Sequence, residues 1–150
     1  GSRTVVLNST ISNNKYGGLT GGSPHPAVYA KTGAKIINTT ISGNIGYGVA
    51  GVIAESGVEI INSTIANNSF GTLVNNPAPI TAGLSGDVTL INTIISNNSG
   101  VADCSGSLTP SSTNNLISDG SCGASFSGDP FIGPLGDNGG PTHTHALLLP

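Results

Sequence analysis

Charge is what this 150-residue chain most lacks: Lys, Arg, Asp and Glu together make up 7% of it. An average soluble domain carries about a quarter, so solubility here rests on Asn, Ser, Thr and exposed backbone. Four cations, Arg3, Lys15, Lys31 and Lys35, stand against seven carboxylates, for a formal net charge of −3. All four lie in the first quarter of the chain. That leaves no basic field to displace counterions from a phosphate backbone, and nucleic-acid binding is not expected. No apolar run is long enough to span a bilayer, and no charged stretch followed by a hydrophobic one opens the chain as a signal peptide would. Gly1-Ser2 reads as a pair added ahead of the natural sequence, and the chain as a fragment of a longer exported protein.

Helix formers are sparse as well, whereas Ile, Val and Thr are abundant and Asn and Gly recur every dozen residues. That combination disfavours helices and suits short strands. Four segments superimpose without gaps: Thr4 to Asn14 (TVVLNSTISNN), Ala34 to Asn44 (AKIINTTISGN), Val58 to Asn68 (VEIINSTIANN) and Val88 to Asn98 (VTLINTIISNN). Their first asparagines, Asn8, Asn38, Asn62 and Asn92, are 30, 24 and 30 residues apart. One turn of a parallel β-solenoid needs a repeat of this length, with about three strands per coil and a rise of about 4.8 Å. The expected fold is all-β, a right-handed parallel β-helix. Residues 1–98 carry the repeats, and 99–150 form a last coil and closing segment of the same domain.

Period-2 alternation places Val6, Ile36, Ile60 and Leu90 in the core, with Ile11, Ile41, Ile65 and Ile95 as a second inward stack. The same alternation carried forward puts Asn8, Asn38, Asn62 and Asn92 inside, as a buried asparagine ladder. Aromatic-glycine steps at Tyr16-Gly17, Tyr47-Gly48 and Phe70-Gly71 mark a second strand start. Asn8, Asn38, Asn62, Asn67 and Asn97 open N-x-S/T triplets, which the repeat itself explains without glycosylation. Leu7, Ile37, Ile61 and Ile91 alternate outward as an apolar stripe that needs a cover. The expected cover is the C-terminal segment or the loops; the alternative is a partner or self-association surface. The loops Lys15 to Gly33 and Ser69 to Asp87 add Tyr16, His25, Tyr29 and Phe70 as candidate contact residues.

Cys104 and Cys122 are the only cysteines, 18 residues apart and flanking a polar stretch with no CxxC spacing. They suit a disulfide better than a metal or redox site, and so an oxidising, extracytoplasmic compartment.

The repeats NSTISNN, NTTISGN, NSTIANN and NTIISNN resemble those of polymorphic outer-membrane-protein-type parallel β-helices. The tail DPFIGPLGDNGGPTHTHALLLP, from Asp129 to Pro150, resembles the closing motif of bacterial choice-of-anchor Q domain proteins. The DCSGSL and NNLISDGSC stretches before it are similar to the cysteine-bearing segment of that family. The resemblance covers nearly the whole chain. It implies a secreted or surface-displayed right-handed β-helix, within a larger protein whose far C-terminus is handled by a sorting or anchoring system. It implies no defined enzymatic activity.

Lyase or glycosidase chemistry on such a fold needs clustered carboxylates. Glu55, Glu59, Asp87, Asp103, Asp119, Asp129 and Asp137 form no DD or DxD pair. Glu59 shares one outward column with Val5, Lys35 and Thr89, so no carboxylate pair stacks there. No catalytic residue, metal or other cofactor is expected. His143-Thr144-His145 comes nearest to a metal pair but lacks a third ligand. Asp119 and Asp137 sit beside glycine or asparagine, in turns that leave calcium open. The expected function is a non-catalytic, exported surface module, a rigid scaffold for adhesion or interaction with an unidentified surface ligand. The alternatives are a module that binds cell-wall or extracellular polysaccharide, a self-assembling subunit, and a fragment of a polysaccharide-degrading enzyme.

Overall fold

The computed structural model describes residues 4–16, 24–71 and 81–150. Among these, four sheets are parallel and one is an antiparallel pair. The first sheet stacks β1 (Val5–Leu7), β4 (Lys35–Ile37), β8 (Val58–Ile61) and β12 (Val88–Ile91). The second stacks β2 (Thr10–Ser12), β5 (Thr40–Ser42), β9 (Thr64–Ala66), β13 (Ile94–Ser96) and β15 (Leu116–Ile117). The third stacks β3 (Val28–Ala30), β7 (Val52–Ala54), β11 (Thr81–Ser85) and β14 (Ala102–Ser105). A short pair, β6 (Ile45–Gly46) and β10 (Ser69–Phe70), lies between the second and third sheets in chain order. The antiparallel pair is β16 (Ile132–Gly136) with β17 (Thr144–Leu147), near the C-terminus.

The register follows the repeat. Val6 pairs with Ile36, Ile36 with Ile60, and Ile60 with Leu90. In the second sheet Ile11, Ile41, Ile65, Ile95 and Ile117 stand over one another. Ile36, Ile41, Ile60, Ile65, Leu90, Ile95 and Ile117 are almost completely buried, whereas Val6 and Ile11, on the outermost strands, are only partly so. A column of identical branched side chains at rung spacing removes apolar area from water at every level while each backbone group bonds the rungs above and below. The parallel stacking continues past residue 98, through β14, β15 and a bridge from Leu116 to Phe126.

The aromatic-glycine steps do not all align. Phe70 is in register with Gly46, and Lys15 bridges Ile45, which puts Tyr16 at the Gly46 level and Tyr47 one residue beyond it. A Cβ on Gly46 would lie 2.5 Å from His25 O and 2.9 Å from Ala50 Cα, so this rung carries a glycine where its neighbours carry Tyr16 and Phe70.

Ser96 Oγ is buried and makes no hydrogen bond. Ala66, in register with Ser96, shows that a methyl fits that column. Ser96→Ala is expected to raise stability by about 1 kcal/mol, by removing a desolvated, unpaired hydroxyl. The urea midpoint reads this directly, and a lowered midpoint would show that the hydroxyl finds a partner in solution.

Candidate functional site

Asn8, Asn38, Asn62 and Asn92 are not inside. Each has a left-handed backbone, with φ of 48°, 48°, 49° and 50°, and each is exposed. Period-2 alternation holds only while the chain stays extended. A left-handed residue turns the corner from the first sheet to the second, so Ile37 and Asn38 both face outward. Asn is among the few residues that adopt this conformation at low cost. The inward residue is the next one, and Thr39, Ser63 and Thr93 are buried there. The outer asparagines do form a ladder, but one facing solvent. Asn38 Nδ2 donates to Asn8 Oδ1 at 3.1 Å, Asn92 Nδ2 to Asn62 Oδ1 at 3.0 Å and Asn114 Nδ2 to Asn92 Oδ1 at 3.2 Å. All five asparagines of the N-x-S/T triplets, Asn67 and Asn97 included, point outward.

The inner ladder runs through the last residue of each repeat, Asn14, Asn44, Asn68 and Asn98; Asn44 and Asn68 are buried, Asn98 is half-buried, and Asn14, on the end rung, is exposed. At the second corner Asn13, Gly43, Asn67 and Asn97 are left-handed, which turns the following asparagine inward. Asn14 Nδ2 donates to Asn44 Oδ1 at 2.9 Å, Asn44 Nδ2 to Asn68 Oδ1 at 2.9 Å and Asn68 Nδ2 to Asn98 Oδ1 at 2.8 Å. Each Oδ1 also accepts the backbone N–H of the asparagine whose amide it accepts. The second amide hydrogen of Asn44, Asn68 and Asn98 goes to Ile11 O, Ile41 O and Ile65 O. The amides thus all point one way, toward an end that must only accept. Asp103, 4% exposed, supplies it: its Oδ1 takes Asn98 N at 2.8 Å and Asn98 Nδ2 at 3.0 Å. Its Oδ2 accepts from Ser118 Oγ. The sequence signal for this ladder is the asparagine that closes every repeat, six residues after the one expected to be buried.

Around that end lies the crosslink. Cys104 and Cys122 are joined by a disulfide, which points to an oxidising environment. Asp119 accepts from Ser121 Oγ at 2.6 Å, Ser121 N at 3.0 Å and Asp103 N at 2.8 Å. Partial burial alone would raise the Asp119 carboxyl, but the hydrogen bonds from Ser121 and Asp103 outweigh it and hold the group below its ordinary value. A carboxyl that titrates lower in the folded chain stabilises it fully above the unfolded value, and that contribution is lost as pH falls through the folded one. Asp119→Asn is therefore expected to flatten the loss of stability below about pH 4. Urea midpoints across that range check it; parallel acid limbs for the two proteins would contradict it. Asp137 Oδ1 accepts Gly139 N, a turn bond. Both aspartates named as calcium candidates are thus used by the backbone of their own turns.

The β16–β17 hairpin docks on the outer face of the second sheet. Thr10 Oγ1 donates to His143 O at 2.7 Å, and Ser42 Oγ meets His145 Nε2 at 2.8 Å. His145 Nδ1 lies 2.7 Å from Gly133 O, and because a carbonyl only accepts, Nδ1 carries the hydrogen. Both ring nitrogens of His145 are committed, so it forms no chelating pair with His143. Among the described residues no group of three or more His, Cys, Asp or Glu could hold a metal.

The hairpin covers the threonine-serine face of the second sheet rather than the isoleucine stripe. Ile37, Ile61 and Ile91 are half-buried in their own stack, and Leu7, on the end strand, is 51% exposed. Tyr29 is 57% exposed on β3, Phe70 is half-buried on β10, and Tyr16 stacks on His25 with ring centroids 3.8 Å apart. The remainder of the two candidate contact loops, residues 17–23 and 72–80, lies outside the described residues. Lys35 and Glu59 share the outward column read from the sequence, their Nζ and Oε2 2.8 Å apart.

Two hollows bear on function. One of about 190 Å³ opens beside β1 and β3 and is lined by Val6, Val28, Ala30 and Ile36. The other, of about 350 Å³, runs between the outer asparagines Asn8, Asn38 and Asn62 and the hairpin's Pro141, Thr142 and Thr144. Among the described residues no helix is long and apolar enough to cross a membrane. No family model matches the chain, and neither a curated protein nor a solved structure matches it. Fold and site together define an all-β protein of stacked parallel sheets with one disulfide and a polar surface groove.

Proposed function

We propose that the chain is a right-handed parallel β-helix module of an exported bacterial surface protein, of the choice-of-anchor Q kind that its tail motif resembles. Its role is a stiff, non-catalytic scaffold for adhesion or interaction outside the cell. The observation that carries this reading is the inner ladder. A file of aligned amides that runs through the coils and ends on a carboxylate ties successive rungs into one body. The disulfide beside that end supports an oxidising, extracytoplasmic setting.

The test uses the oxidised chain on a panel of extracellular polysaccharides and matrix proteins, scoring binding and product release together. Saturable binding with no new reducing ends or unsaturated products is the expected result. Release of such products would overturn the non-catalytic role, and binding to nothing on the panel would overturn the interaction role. Mass by light scattering in the same samples separates adhesion from self-assembly through the outermost strands β1, β2 and β3.

A further inference from the structure

The outer asparagine ladder has a gap. Its bonds run Asn38 to Asn8, Asn92 to Asn62 and Asn114 to Asn92, but the step from Asn62 to Asn38 is not made. Among the described residues Asn62 Nδ2 donates to no protein group, and Asn38 Oδ1 accepts from none. Asn38 and Asn62 both line the 350 Å³ groove beside the hairpin. A donor without an acceptor on one rung therefore lies beside an acceptor without a donor on the next, within a groove that spans the Asn8, Asn38 and Asn62 rungs. The opposite wall is held in place by the bonds from Thr10 to His143 O and between Ser42 and His145.

We propose that this groove binds a neutral polyhydroxylated ligand, a glycan chain, with one hydroxyl bridging Asn62 Nδ2 and Asn38 Oδ1. The inference rests on the interaction role above and names the ligand class of the site. Neighbouring rungs are about 4.8 Å apart, a span that a group both accepting and donating can bridge. A hydroxyl does both at one atom, whereas an ammonium only donates and a carboxylate only accepts. No charged side chain lines the groove, so a phosphate or uronate gains nothing there over water. Pro141 and the threonine methyls supply an apolar surface for the C–H face of a sugar, and the remaining lining is amide and hydroxyl. An extended peptide is less suited. Peptides that bind parallel sheets do so by adding a strand at a free edge, and the walls here are corner side chains and a docked hairpin.

The experiment takes the oxidised chain to an array of neutral and acidic glycans and to an array of random peptides, then measures the best binder by calorimetry. Asn38→Gly and Asn62→Gly delete the two amides while keeping the left-handed backbone that both positions need. Asn92→Gly and Asn114→Gly are the controls, on the same column outside the groove. Expected is saturable binding of a neutral glycan that weakens about tenfold or more in each groove variant and under threefold in the controls, about 1.4 kcal/mol or more against less than 0.7. Three results would overturn the assignment: no neutral glycan bound, glycan binding indifferent to Asn38 and Asn62, or peptide binding that depends on them. In each case binding of another partner elsewhere leaves the scaffold role standing. Cleavage of the glycan would instead defeat the non-catalytic reading while leaving the site in place.

Discussion

Replacing Asn68 by alanine is expected to cost about 4 kcal/mol of folding stability, a large share of the 5–15 kcal/mol typical of a domain. Asn68 is completely buried. Its Oδ1 accepts both Asn44 N and Asn44 Nδ2, and its Nδ2 serves Ile41 O and Asn98 Oδ1. Alanine leaves two donors of Asn44 without partners inside the protein, each at about 1–3 kcal/mol, and takes the side-chain donor from the Ile41 carbonyl. Asn98 Oδ1 keeps Asn68 N, which moderates the sum. Asn68→Asp should cost at least as much, because it loses the donors and places a charge against two acceptors. Asn62→Gly removes an amide at the solvent-facing corner and should change stability by less than 1 kcal/mol. Urea unfolding separates these cases. Equal losses at Asn68 and Asn62 would mean that the two ladders contribute alike and that the inner one is not the axis of the fold.

Loss of the disulfide is the second large effect. Cys104 and Cys122 close a loop with a sequence separation of 18, and on the chain-entropy model such a link is worth about 3 kcal/mol. The Cys104→Ser, Cys122→Ser double variant should lose about that much in urea or thermal unfolding. The wild-type chain in reductant should behave like the variant. Its consequences reach the ladder, since Asp103 and Cys104 are adjacent on β14 and Cys104 N bonds Ser121 Oγ next to Cys122. Loosening the crosslink should also free the acceptor on which the asparagine file ends. Amide hydrogen exchange at Asn98 and Asn68 should therefore quicken in the reduced protein before it does at Asn14. Uniform protection along the file would contradict that link.

Much of the architecture could be read from four aligned segments. Ile36 over Ile60, Ile41 over Ile65, and Lys35 beside Glu59 in an outward column all follow from gap-free alignment and period 2. The reading failed where the backbone left the extended region. Asn38 was placed inside by counting two from Ile36, but a left-handed residue at φ 48° adds a second consecutive outward position. The amides that are buried, Asn44 and Asn68, lie six residues past Asn38 and Asn62, where a second left-handed corner at Gly43 and Asn67 turns them inward. Tyr47 falls one residue beyond the level shared by Tyr16 and Phe70 because its repeat has two residues between the closing asparagine and the aromatic where those two have one. The Ser42–His145 contact spans 103 residues and had no periodic signature at all.

Sequence alone determined the parallel stacking, its repeat length, the core isoleucines and the cysteine pair, because each follows from a local pattern that recurs at fixed spacing. Only the tertiary structure decided which asparagines are dry, where the amide file ends, and which face the C-terminal hairpin covers. The physical reason is that a single left-handed corner reverses which side of the chain meets water. The partners that satisfy a buried amide or anchor a distant hairpin then come from residues that no local period connects.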